Sequence, residues 1–198
     1  MFSDRGSDAK EVRRLVETLQ VAALQSTFPG DAAAPLNKAG DLLLQSGDLR
    51  GALELYGSAV DSMIEADRQE AAAALCRKII RTAPDVVRAR CTLAWLAIGA
   101  GFSGELATRL VEYIAAAEGS GRQDFARQEV RRMGEHSSPH GIRLILGEFM
   151  LALGDDAAAD ELLGAVYRER NTGVKPDIDA QECWGQVRSA LLERVAQA

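Results

Sequence analysis

The chain has 198 residues, of which 47% are hydrophobic and 26% charged, with a formal net charge of -6. That length and apolar content allow one sizeable core, or a row of small stacked units sharing one, and argue against a disordered tail. The negative average field repels phosphate backbones and anionic lipid, which argues against nucleic acid as a partner. Aromatic residues make up only 5% and Ala and Leu dominate the apolar set, so an all-α fold is expected.

The first residues, MFSDRGSDAKEVRRL, have no apolar core of the kind a signal peptide needs, and export by that route is not expected. Over residues 8–26, Val12, Leu15, Val16, Leu19, Ala22 and Ala23 recur at three and four and define one face of a helix. FPGDAAAP ends it: Pro29 and Gly30 are breakers, Asp31 is a candidate cap, and Pro35 suits the first turn of a second helix reaching to about Ser46. Gly47 and Asp48 close that helix and cap the next, which spans 49–65 with Ala52, Leu53, Tyr56, Ala59, Val60 and Met63 on one stripe. A further helix runs from Gln69 through AAAALCRKII to Thr82, ahead of Pro84.

The same order then returns. The interval from Gly40 to Ala94 recurs, to within a single position, from Ala94 to Gly147, and Gly47, Gly101 and Gly154 keep the same spacing. Ala52, Leu106 and Ala159 match in this register, as do Tyr56, Leu110 and Leu163, and Cys76, Val130 and Trp184. Small or apolar character persists at nearly every site, which marks an internal repeat. Gly40 then permits close approach of two helices, and Gly47 accepts the left-handed conformation that ends the first of them.

Leu36, Ala39, Gly40, Leu43, Gly47, Ala52, Tyr56 and Ala59 resemble the spaced pattern of a tetratricopeptide repeat. Arg90, Leu93, Ala94, Ala97, Gly101, Leu106, Leu110 and Tyr113 stand at matching places, as do Arg143, Leu146, Gly147, Met150, Gly154, Ala159, Leu163 and Val166. Leu36, Arg90 and Arg143 replace the usual large aromatic, and the spacing exceeds the standard repeat of about 34 residues by roughly one helix. The resemblance implies a right-handed α-solenoid of helical hairpins with an additional helix per unit. Its parts would be an N-terminal capping helix (1–32), repeats over 33–173 with units near 33–86, 87–139 and 140–173, and a C-terminal capping helix (174–198).

By that resemblance the first helix of each hairpin lines a concave groove. Asn37, Asp41 and Gln45, then Arg88, Cys91, Trp95 and Ile98, then Leu144, Glu148 and Leu151 would face it. Asp41 stands where a clamp for an acidic peptide terminus needs a neutral donor, which speaks against a chaperone-tail receptor. Trp95 has two readings, an anchor for a partner helix or packing against the extra helix. Trp184 is likewise core filler or an end contact. A second candidate surface is the basic set Arg77, Lys78, Arg81, Arg88 and Arg90 with Arg131 and Arg132, suited to an acidic protein surface or to anionic head groups. Glu70, Asp85 and Glu129 are interspersed, as on an ordinary solvated face.

Catalysis finds no motif: GxSxG, P-loop, GxGxxG and HExxH are absent. His136 and His140 have the spacing of a metal-binding helix, but Pro139 between them breaks the helix that would align their rings. Cys76, Cys91 and Cys183 fit no CxxC or zinc spacing and are expected to be small buried residues in a reducing compartment. CTLAWLAIGAGF (91–102), the longest nearly uncharged apolar stretch, is far short of the roughly 20 residues of a membrane-spanning helix. The expectation is a cytoplasmic, non-enzymatic protein without metal or cofactor. It would be a scaffold or assembly subunit, in one form a membrane-extrinsic subunit bracing an energy-converting membrane complex. A transient peptide-binding adaptor is the alternative.

Overall fold

The computed structural model describes residues 5–101, 103–137, 139–172 and 180–196. The regular structure among those residues is all helical, without a strand, in ten helices: α1 (Arg5–Leu24), α2 (Ala33–Gln45), α3 (Leu49–Glu65), α4 (Gln69–Thr82), α5 (Val87–Gly99), α6 (Ser103–Gly119), α7 (Gln123–Glu135), α8 (His140–Ala152), α9 (Asp156–Asn171) and α10 (Ala180–Ala196). None of them is long and apolar enough to cross a membrane. The helices form two compact units, Met1–Thr82 and Ala83–Ala198.

In the first unit α1 lies on α2, α2 on α3, and α3 on α4. Val16 of α1 joins Ala39 of α2 and Leu55 of α3 in the core, with Val12, Leu19, Leu36, Leu42 and Leu43 packed around them. This is the apolar stripe of the first helix put to use. Its shoulder, Leu15, remains half exposed.

The turn between α2 and α3 has the expected chemistry. Gly47 takes φ of +90°, and the Asp48 and Gly47 N–H groups donate to the Leu43 and Leu44 carbonyls (2.9 and 3.1 Å), the pair of bonds that ends a helix on a left-handed residue. Asp48 then caps α3 by accepting from the Gly51 N–H at 2.9 Å. Gly101 and Gly154, at the matching sites, also have positive φ. A Cβ on Gly47 would meet nothing within 4 Å, so the cost of a side chain there is conformational. Gly47→Val is expected to lose about 1 to 3 kcal/mol, seen as a fall in thermal midpoint; an unchanged midpoint would contradict this account of the turn.

In the second unit α5 pairs with α6 and α8 with α9, while α7 packs on both α6 and α8. The expected boundary at 173 lies outside the described residues. Every residue from Cys91 to Gly99 is buried, as suits a helix that is apolar all round. The C-terminal helix, expected as an end cap, packs against α5. Gly99 makes room for it: a Cβ there would lie 2.6 Å from Trp184 Cε3. Cys183 Sγ–H donates to the Ile98 carbonyl at 3.3 Å.

Candidate interaction surface

On α2, Asn37 and Asp41 are half-buried and are engaged from α4. The Lys78 ammonium donates to Asn37 Oδ1 at 2.9 Å and forms an ion pair with Asp41. It also lies 4.4 Å from the centroid of the Tyr56 ring, close enough for a cation–π attraction. The Tyr56 hydroxyl donates to the same oxygen of Asp41, Oδ1, at 2.5 Å. Lys78, one of the candidate basic-face residues, therefore points into its own unit.

Burial pushes the Asp41 carboxyl upward, but the hydrogen bonds from Lys78 and Tyr56, with the lysine charge, outweigh it and hold Asp41 below its ordinary value near 3.8. Burial first, and then the Asp41 carboxylate, push the Tyr56 phenol well above its usual range. A carboxylate with a lowered folded pKa contributes stability in full above the unfolded value, and that stability is lost as pH falls through the folded one. Lys78→Met is thus expected to lower the thermal midpoint at neutral pH. The gap to wild type should narrow as pH falls below about 4 and through the lowered folded pKa of Asp41, leaving the part due to the Asn37 hydrogen bond and the Tyr56 ring. Melting curves across that range check it, and a gap that does not narrow in acid would remove the ion pair as a cause.

On α5 the pair standing one repeat further on, Cys91 and Trp95, is engaged from α7. Glu129, itself buried, accepts from the Trp95 indole N–H at 3.2 Å and from Cys91 Sγ–H at 3.5 Å. The His136 ring lies beside Trp95, with centroids 6.2 Å apart. Trp95 is only 1% exposed, and Ile98 is fully buried. Arg88, on the same helix, is exposed. On α8 the matching residues differ: Leu144 is half-buried, Glu148 is exposed and Leu151 is 47% exposed.

The basic residues are largely tied within their units. Besides Lys78, Arg90 donates to the Pro84 carbonyl from Nε and Nη2 (3.3 and 2.9 Å) and lies 4.0 Å from Glu112. Arg131 pairs with Asp155 at 2.5 Å, beside Arg127, which pairs with Asp124 and donates to the Leu153 carbonyl. Burial raises the Asp155 pKa, but the Arg131 pair and the Ala158 N–H more than offset it and hold it low. Arg132 bridges to α10 through the Ala190 carbonyl (2.9 Å) and Glu193 (3.1 Å). Arg77 and Arg81 are exposed on α4.

His136 is the C-cap of α7 and His140 the first residue of α8, with Pro139 at its N-cap. His140 Nε2 lies 2.6 Å from Glu169 Oε2, and Arg143 donates to the same carboxylate. The hydrogen bond with His140, then that with Arg143, hold Glu169 below the usual carboxylate range. Among the described residues no three His, Cys, Asp or Glu side chains gather as a metal site. Cys76, Cys91 and Cys183 are thiols, and all three are buried.

Sequence reasoning missed Glu129 as an organiser and counted it as an interspersed surface acid. The available signal was its place between Ala126, Val130 and Met133, on the apolar face of α7, where an acid is rare unless something pairs it. Compared with protein-family models, curated proteins and solved structures, the chain matches none.

Proposed function

We propose that the protein is a non-enzymatic helical-repeat scaffold of tetratricopeptide type, with three-helix units in right-handed solenoid order, acting as a subunit in the assembly of a larger complex. The observation that supports it most is the use made of its polar side chains. Lys78, Glu129 and Arg132 each join one helix to another, so the charged groups that would serve chemistry in an enzyme hold helices in place here. Rigid helices with outward faces are what a scaffold offers its partners. A membrane-extrinsic subunit on the cytoplasmic side of an energy-converting complex is the specific form of this proposal. The exposed arginines Arg77, Arg81 and Arg88 are the charges it would dock with.

Native electrophoresis of the tagged protein from its host, on membrane and soluble fractions separately, tests this. Co-migration with a complex of fixed composition is expected. Arg81→Glu with Arg88→Glu should release the protein, and raised salt should do the same, since exposed charges are screened over about 8 to 10 Å at physiological ionic strength. Recovery only as a free monomer would refute assembly. A transient adaptor is favoured by one feature, the exposed face of α8.

A further inference from the structure

Helix α1 has one face inside the fold and one outside it. Val12, Val16 and Leu19 pack into the core with α2, and Ala23 continues the same stripe, buried. The opposite face carries a second stripe at spacings of three and four, Lys10, Arg13, Arg14, Glu17, Val21 and Leu24, all of them exposed. Charge and apolar surface are separated along it. Lys10, Arg13 and Arg14 stand within about one turn, or about 6 Å along the axis, in the first half of the helix. Val21 and Leu24 occupy its end, and the turn that follows adds Phe28.

Single exposed apolar side chains are ordinary. Leu24 and Phe28, at 86% and 70%, are however the two most exposed large apolar side chains among the described residues, and they follow a cluster of cations that the fold leaves unused. Lys78, Arg131 and Arg132 each end on a carboxylate. Lys10, Arg13 and Arg14 form no ion pair among the described residues, so their charge is presented outward. Glu17 on the stripe and Glu11 at its edge offset part of it. The net charge of -6 belongs to the whole chain, whereas an approaching surface meets the charges within about 8 to 10 Å of it at physiological ionic strength.

We propose that this outward face of α1 docks on an anionic lipid surface. Its cations sit among the head groups, and Leu24 and Phe28, with Val21 beside them, enter the apolar layer just beneath. One partner then supplies both chemistries that the face calls for, negative charge and hydrocarbon. Neither suffices alone, since stable peripheral binding takes a basic patch together with an apolar insertion. Because the contact is with lipid, it goes beyond the scaffold role proposed above and needs no partner protein.

The purified full chain is mixed with vesicles made of equal parts phosphatidylserine and phosphatidylcholine, or of phosphatidylcholine alone, and bound protein is read by flotation. Binding to the anionic vesicles only is expected, weakening as salt is raised. Each cation near such a surface contributes about a fivefold gain in affinity, so Lys10→Gln, Arg13→Gln and Arg14→Gln together should weaken binding about a hundredfold. Leu24→Ser with Phe28→Ser should weaken it about tenfold or more while leaving its salt dependence in place. All of these positions are exposed, and circular dichroism verifies that both variants fold. Arg50→Gln, an exposed change at the start of α3, should bind like the wild type. Absence of flotation with the anionic vesicles would overturn the proposal, as would equal binding to neutral ones or full binding by either α1 variant. So would a protein partner held by these same side chains in a chain that ignores vesicles. The vesicles contain no protein, so their result is read independently of whether native electrophoresis finds a complex.

Discussion

Trp95→Ala is expected to remove about 3 to 5 kcal/mol from the stability of the second unit, the larger of two effects that separate packing from partner binding. The indole is 1% exposed, so truncation leaves a cavity the size of most of a tryptophan, and a close-packed interior relaxes only partly around such a void. It also removes an N–H donor from Glu129, a carboxylate already buried. Trp95→Phe separates the two contributions: it retains much of the volume but loses the N–H, and is expected to cost about 1 to 3 kcal/mol. Denaturant unfolding followed by circular dichroism reads both. If Trp95→Ala unfolded at the wild-type midpoint while losing a partner, the residue would be a groove anchor instead of a packing element.

The helices were legible in the sequence because their ends have local causes. The breakers of FPGDAAAP, the positive φ that Gly47, Gly101 and Gly154 accept, and Pro84 after α4 each act on the backbone within a few residues. What covers a helix face is decided at long range and was not legible. Asn37 and Asp41 lie on a polar edge of α2 that periodicity cannot distinguish from an open groove; the lysine that engages Asp41 is 37 residues away. The contact of Cys183 with Ile98 spans 85 residues, and amphipathicity of α10 marks a face to bury without naming the helix that buries it. The basic set shows the same limit. Charge is visible in a sequence, but the carboxylates that fold beside Arg131 and Arg132 are set by how α7 meets the start of α9 and the end of α10.

Gly40→Val is expected to destabilise the first unit by about 3 kcal/mol, and the comparison with other glycines makes the cause testable. A Cβ on Gly40 would lie 2.6 Å from Cε1 and 2.7 Å from Cδ1 of Tyr56, inside van der Waals contact. The ring has little room to withdraw, because Tyr56 is fully buried, its hydroxyl is held by Asp41, and the Lys78 ammonium sits over its face. Replacing a mid-helix glycine by alanine normally gains up to about 1 kcal/mol of helix propensity, so Gly40→Ala reports the clash after that gain has been subtracted, and a net loss is expected. A Cβ on Gly147 would meet Leu163 Cδ2 at 2.7 Å and Cγ at 2.8 Å, atoms of a half-buried side chain that turns aside more easily than a pinned ring, so Gly147→Ala should lose less. At Gly185, exposed in α10 with nothing within 4 Å, alanine should stabilise. Thermal midpoints of the three alanine variants therefore fall in the order Gly185, Gly147, Gly40, from highest to lowest. A Gly40→Ala protein that melts above wild type would show that the Tyr56 ring is free to move, and with it that the Asp41 and Lys78 contacts do not fix the α2–α3 interface.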